Sequence, residues 1–279
     1  AILPANVPNM GLFGAAESIY GIGLTYGDYI WLNFPVLGVG AIIIYPLLIA
    51  FLFADKPGAM EESTPPESWS GGEIRLTLIL GLALALWVSD RAHGISPAWV
   101  ALGAGLLCVW PGAGLLTPNS IAKELDYGPV LFLAGIIGLG AVTTHSGLGT
   151  LIGERLLQAL EVTPGRDGAN FAAIAGIALV VGVLTTLPAQ PAIMAPMAQA
   201  MSEATGWPLI SALMVPVASW MFFPFPFQAP PLIIAVALGG LRIAWVIRLL
   251  LAFMVLGVLV LLPLHYMWGR WLGYFVAAS

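Results

Sequence analysis

The chain is laid out as apolar runs nearly free of charge, near residues 30–54, 74–89, 97–116, 128–148, 171–187, 208–223 and 244–264. Most approach the roughly 17 to 25 apolar residues that an α-helix needs to cross a bilayer. Hydrophobic residues make up 59% of the 279 and charged residues 8%. Soluble domains carry about 25% charged residues, and no water-soluble fold of this size hides that much apolar surface. A membrane barrel needs short strands that alternate apolar and polar residues; these runs are continuous, so the spanning elements are helices. The expected fold class is an all-α polytopic membrane protein that passes the bilayer several times.

Charge and cysteine remove other classes. The net charge of -5 comes largely from one stretch, DKPGAMEESTPPESWSGGE at 55–73, so it argues for neither nucleic acid nor an anionic membrane surface as partner. Cys108 is the single cysteine and lies inside an apolar run, which excludes an internal disulfide, thiolate metal clusters and CxxC redox chemistry. The chain starts at Ala1 without a basic segment followed by a short apolar core, so no signal peptide is expected and the sequence reads as continuing upstream.

Three interruptions carry the functional signal. LTTLPAQPAIMAP at 184–196 puts three prolines, a glutamine and two threonines where a membrane helix should continue. MFFPFPFQAPPLII at 221–234 and LPANVPNMGLF at 3–13 break in nearly the same way. A break at mid-membrane frees backbone N–H and C=O groups that cost several kcal/mol each against lipid, so it belongs inside protein or beside a wet cavity. Proline makes the break because it lacks an N–H and clashes with the preceding turn. The half-helix that follows points its N-terminal N–H groups into the gap, where an anion can be held without arginine.

The residues expected to bind substrate are therefore Thr186, Pro188, Ala189 and Gln190 at the first break, Gln228, Pro230 and Pro231 at the second, and Asn6, Pro8 and Asn9 at the front one. Carbonyls released near Thr185, Ala189, Gln190 and Ala229 are candidates for a sodium ion. No other cofactor is expected. The competing reading is that these prolines only kink packed helices, which tolerate proline, while the polar side chains rescue the freed backbone.

The two ends of the chain resemble each other. A broken helix with LPANVPNMGLFGAAESI precedes the run YGDYIWLNFPVLGVGAIIIYPLLIAFLF, and PFQAPPLIIAVALGGLRI precedes AWVIRLLLAFMVLGVLVLLPLHYMW. Between them lie the runs beginning near 30, 74, 97 and 128, plus segment 171–204, which adds none as a re-entrant hairpin or two as a full pair. The number is even either way, so the copies are inverted, the repeat pattern of secondary transporters with discontinuous helices at the binding site. LIGERLLQALE at 151–161 sets Ile152, Leu156, Leu157 and Leu160 opposite Glu154, Arg155, Gln158 and Glu161, as in a helix lying along the membrane surface. Lys56, Arg75, Lys123, Arg242 and Arg248 on one side, against Arg91, Arg155, Arg166 and Arg270 on the other, favour a cytoplasmic 55–73 loop by one residue.

The remaining polar residues fit structural roles. Asp28 is expected to cap a helix and His265 to join an aromatic belt at the end of the last helix. His145 ends a helix. With His93 it completes three scattered histidines lacking paired carboxylates, which make no metal site. Acids fall in loops or toward helix ends rather than mid-helix, Glu17 being the nearest exception, which disfavours a proton pump. Adjacent His145 and Ser146 point about 100 degrees apart on a helix, so no hydrolase constellation forms and no enzyme is expected.

The order of PANVPN, long helix, spanning helices, LDYGPVLFLAGIIGLGAVTTHSGLGTLIGERL, surface helix, hairpin and FPFQAPPLIIAVALGG resembles the divalent anion/sodium symporter family, known in animals as solute carrier 13. The GPVLFLAG block and the QAPP break, similar to that family's GTPPN loop, carry the resemblance. It implies an elevator-type symporter for dicarboxylates, citrate or sulfate, usually sodium-driven, homodimeric and set in the cell's inner (plasma) membrane. On that pattern residues 1–54 are the end of a first repeat, 55–73 a linker, 74–148 scaffold helices with the dimer interface, 149–162 the surface helix, and 163–279 the transport-domain hairpin, broken helix and last spanning helix. The hairpin tip reads LPAQP where that family carries Ser-Asn-Thr. The alternative expectation is thus a transport-inactive membrane scaffold or regulatory relative that has lost sodium coupling.

Overall fold

A computed structural model describes residues 6–54, 68–113, 115–116 and 145–277, with isolated residues between 119 and 142. The run at 128–148, residues 55–67 of the acidic loop, and Lys123 lie largely or wholly outside the described residues. The described residues are helical with no strand, as an apolar chain in lipid requires. Among the described residues, four helical stretches are long and apolar enough to cross a membrane: Tyr26–Leu52, Gly71–Val88, Asp167–Leu184 and Ile243–Trp271. The structure divides into two compact units, residues 1–24, 29–53 and 132–279 in one and 25–28 and 54–131 in the other.

In the larger unit, helix α1 (Val7–Tyr20) starts with Pro8 in its first turn and stops at Gly21, whose φ of 66° no β-carbon favours. Helix α2 (Tyr26–Asn33), in this unit from Tyr29 onward, runs through a π-helical turn (Phe34–Gly38) into α3 (Val39–Leu52). At the other end, α12 (Pro230–Leu238) leads to α13 (Ile243–Leu256), a second π-helical turn (Gly257–Leu261) and α14 (Leu262–Trp271). Each π turn begins 27 residues after the start of the half-helix before it, Phe34 after Val7 and Gly257 after Pro230.

The two long helices lie antiparallel. Trp268 Nε1 donates to the Trp31 carbonyl at 2.9 Å, Leu261 lies over Gly40, and Tyr45 stacks on Phe253 with ring centroids 4.0 Å apart. Phe53 meets Trp245 at 6.1 Å, so partners descend along one helix as they ascend along the other.

Between these ends, α7 (Leu148–Ala159) precedes α8 (Asp167–Leu184). Leu157 and Gly153 of α7 are buried, Gly153 against Ala200 and Met197, while Ile152, Leu156 and Leu160 are exposed. The apolar face thus splits between packing and an outward stripe suited to the acyl boundary. After α8 the chain breaks, makes a 3-10 turn (Leu187–Ala189), and returns as α9 (Gln190–Met194), a second 3-10 turn (Ala195–Met197) and α10 (Ala198–Thr205). Trp207, just past α10, donates from Nε1 to Asp167 Oδ1 at 2.8 Å. The end of the second limb therefore closes on the start of the first, as a hairpin does.

Helix α11 (Leu209–Ser219) occupies the middle of this unit, with Ser211–Ser219 buried without exception. It packs on α8, α10 and α1, and its small residues Ala212, Ala218 and Ser219 admit the close approach that lipid-embedded helices use. His265, expected in an interfacial belt, is instead fully buried between Phe171 and Phe275. Its position on α14 faces α8 rather than lipid, because the chain after Gly273 folds Phe275 back over it.

The smaller unit pairs α4 (Gly71–Val88) with α6 (Pro97–Val109) across the short α5 (Asp90–His93). Ser70 and Glu73 form a reciprocal cap on α4, and Trp87 Nε1 donates to the Pro97 carbonyl at 3.1 Å. The run expected to span over 97–116 ends as a helix at Val109, where Trp110-Pro111 cannot continue it, leaving 13 residues, about 20 Å at 1.5 Å per residue. Asp28 supports a cap whose centre is Thr25: the Asp28 N–H donates to Thr25 Oγ1 at 3.1 Å and the hydroxyl donates to the carboxylate at 2.6 Å. The buried Asp90 carboxylate adds a second acceptor at that helix start, taking the Tyr26 N–H at 2.5 Å.

The π turn at Gly257 is wedged by Phe222. A β-carbon on Gly257 would overlap the buried Phe222 ring. Gly257→Ala is expected to cost about 1 to 3 kcal/mol by overpacking. Phe222→Leu placed in that background should recover part of the loss; in a thermal unfolding series in detergent, strictly additive losses would show that the ring does not lie there.

Candidate functional site

The first break follows from its sequence. The α8 helix ends at Leu184 because Pro188 and Pro191 cannot donate to the carbonyls one turn back. Thr185 compensates locally, its hydroxyl donating to the Val181 carbonyl at 2.7 Å. The Ala189 N–H closes the 3-10 turn on the Thr186 carbonyl at 3.0 Å.

The second break answers the first. Residues 221–225 leave helical geometry after α11, and Pro226–Gln228 makes one 3-10 turn before α12. Gln228 is fully buried: its Oε1 accepts the Phe225 N–H at 3.0 Å, while its Nε2 donates to the carbonyls of Gly182 and of Thr185, the latter at 3.2 Å. One amide therefore satisfies backbone groups freed at both breaks. The 184–191 tip and the 226–231 loop are held together, not turned separately toward lipid.

Gln190 is also fully buried. Its Oε1 accepts from Ser219 Oγ at 3.2 Å, and its Nε2 has no hydrogen-bond partner. The front copy joins through α1, which packs against both 3-10 turns of the hairpin, α9 and α11. Tyr20 donates from its hydroxyl to the Ala195 carbonyl at 2.8 Å, and Tyr29 donates to Asn9 Oδ1 at 2.8 Å, with both Tyr29 and Asn9 buried.

The residues expected from the sequence therefore separate by depth. Asn9, Gln190 and Gln228 lie inside with Pro8; Thr185, Thr186, Pro188, Ala189 and Ala229 are half-buried; Asn6 and Pro231 are exposed, and Pro230 is the first residue of α12. Glu17 is exposed on α1. Tyr29, Ser219 and Gly182, which orient or make room for those amides, were not singled out from the sequence. A lone hydroxyl at 219, ending an apolar helix just before a proline-rich break, was the available signal. Among the described residues no three His, Cys, Asp or Glu gather in a metal-binding group.

A helical membrane protein whose discontinuous helices meet at buried amides is built as a carrier of small solutes is built. The sequence model of one protein family, described as citrate transporter, matches residues 2–222, more than half of the chain, taking in the front break, the hairpin and α11. The chain belongs to this citrate transporter family and, with its apolar helices, is a multi-pass membrane protein of a class that moves small anions across the bilayer. No curated protein matches it.

Gln228→Leu keeps the side chain's approximate size but leaves the Gly182 and Thr185 carbonyls without their donor. The expected cost is about 1 to 3 kcal/mol, the range for a buried polar group left unpaired. Thermal unfolding in detergent reads it as a lower midpoint than for the parent.

Proposed function

We propose that the protein is a secondary active transporter of a small anion, of the citrate, dicarboxylate or sulfate class, working by elevator-type alternating access. The observation that carries this reading is the joining of the two helix breaks through the Gln228 amide, with the buried Gln190 beside them, whose Nε2 has no hydrogen-bond partner. Buried neutral donors at a break suit an anion that must be bound and released within one membrane crossing, where a fixed lysine or arginine is costly. The substrate-binding set is Asn6, Pro8, Asn9, Thr186, Pro188, Ala189, Gln190, Gln228, Pro230 and Pro231, with Asn9, Gln190 and Gln228 as its buried centre.

Antiparallel long helices and equal offsets to their π turns support an inverted repeat. The separate compact unit holding α4 to α6 supports the front part, up to residue 131, of a scaffold drawn from residues 74–148. In this reading residues 163–279 form the transport domain and the protein is a homodimer in the plasma membrane. A coupling cation is placed near Thr185, Ala189, Gln190 and Ala229. Because Gln228 Nε2 donates to the Thr185 carbonyl, a sodium ion at that oxygen displaces the amide from it, which links cation entry to movement of the second break.

Counterflow uptake of labelled citrate, succinate and sulfate into proteoliposomes, with and without sodium, tests the proposal. Uptake of at least one anion is expected, faster in a sodium gradient. Uptake of none of them in any gradient sinks it in favour of a membrane scaffold without transport.

A further inference from the structure

We propose that the groove between the two long antiparallel helices holds one membrane phospholipid as a resident ligand, its acyl chain lying along the groove and its phosphate beside Arg270. The groove has a volume of about 480 Å3, with Val39, Gly40 and Ile43 on one wall and Leu264, Met267 and Trp271 on the other. Pockets that take a single small molecule measure roughly 300 to 1,000 Å3. The floor is the contact of Leu261 with Gly40, where a β-carbon would overlap the leucine, and the exposed Val39, Ile43, Leu264 and Met267 form the rims. Trp268 spends its indole N–H on the Trp31 carbonyl, so its ring presents carbon to the groove. A lining almost wholly of carbon gives a polar solute little to bond to, whereas a hydrocarbon chain asks for nothing else.

Length and position select the occupant. The Ile243–Trp271 stretch has 29 residues, about 43 Å at 1.5 Å per residue, close to the roughly 40 to 45 Å of a bilayer with its headgroup regions. Each end carries tryptophan and arginine: Arg242 lies 5.1 Å from the Trp245 ring at the start, and Arg270 stands in the last turn between Trp268 and Trp271. Such aromatic ends mark the two membrane interfaces. The wall supplied by α14 is 10 residues long, about 15 Å, so the groove runs from one interface to mid-membrane, half of the roughly 30 Å hydrocarbon core. That is the depth of one leaflet, and so of one acyl chain. Arg270 is exposed at the interface end, where a phospholipid carries its phosphate, and its Nη1 donates to the Tyr266 hydroxyl at 3.5 Å. The proposal needs only that the protein spans a bilayer, and it stands or falls separately from the transport reading.

The test uses the full chain extracted in mild detergent. Native mass spectrometry reads retained phospholipid, and thermal unfolding is followed while palmitoyl-oleoyl phosphatidylglycerol is added back after delipidation. The parent is expected to retain one phospholipid per chain and to gain about 3 to 6 °C on add-back. Leu264→Trp fills the groove from an exposed rim position and should abolish both effects; Met267→Trp carries the same test if that variant does not fold. Leu47→Trp, exposed on α3 away from the groove, should behave as the parent. Arg270→Gln should raise the lipid concentration for half-maximal shift about five-fold, the loss of one basic group at the membrane surface.

A parent that retains no phospholipid and does not respond to add-back overturns the proposal. Parental retention in the groove-filling variant also overturns it, because the lipid then sits elsewhere on the surface. Unchanged affinity in Arg270→Gln overturns the assignment of the phosphate to that residue. If Leu264→Trp dissociates a dimer while the retained lipid persists, a second copy of the chain covers the groove and the proposal is overturned in its favour.

Discussion

Backbone amides have nowhere to go in hydrocarbon, and the arrangement of this protein follows from how two helix breaks resolve that problem. The prolines after Leu184 and around Pro224 to Pro231 leave carbonyls that intact helices would have paired. Water could satisfy them only if the breaks faced a pore or cavity. Instead, the Gln228 amide carries its oxygen to Phe225 on its own side and its nitrogen to Gly182 and Thr185 on the other. A side chain that serves both breaks at once makes their positions mutually dependent, so neither can be displaced without exposing groups of the other.

The same dependence extends outward through packing. Phe222, inside the second break, is seated on Gly257 at the head of a π turn, and Phe253 one turn earlier meets both Phe222 and Tyr45 of the antiparallel helix. A π turn widens a helix by one residue and is found where a helix must accommodate a neighbour at a functional position. Both long helices carry one, at matching distances from their half-helices. The packing of the second break is therefore continuous with the Ile243–Trp271 helix, while the core of α11 stays buried.

Much of the architecture was legible because lipid leaves so few options. The apolar runs at 30–54, 74–89, 171–187 and 244–264 correspond to spanning helices, and the proline clusters mark breaks that the structure contains. The 97–116 run was misleading, since hydropathy continues past Pro111 although the helix cannot. His265 was placed at a belt from its aromatic neighbours LHYMW, but one-dimensional context does not reveal that Phe275 folds back over it. Of the residues at the breaks, Gln190 and Gln228 could be chosen as amides in apolar surroundings. Tyr29 and Gly182 could not, and Ser219 showed only as a hydroxyl ahead of a break, because their roles exist only through residues 20, 46 and 29 positions away in the chain.

Composition and proline placement were enough to point to a helical membrane protein with the two interruptions seen after α8 and α11, because burial of backbone polar groups in lipid is a local demand that each segment meets or fails by itself. Which interruption faces which, and which end of each amide remains free, depended on folding: a hydrogen bond between Gln228 and Gly182 joins segments that the sequence keeps far apart, and only the packing of α8 against α11 brings them within reach.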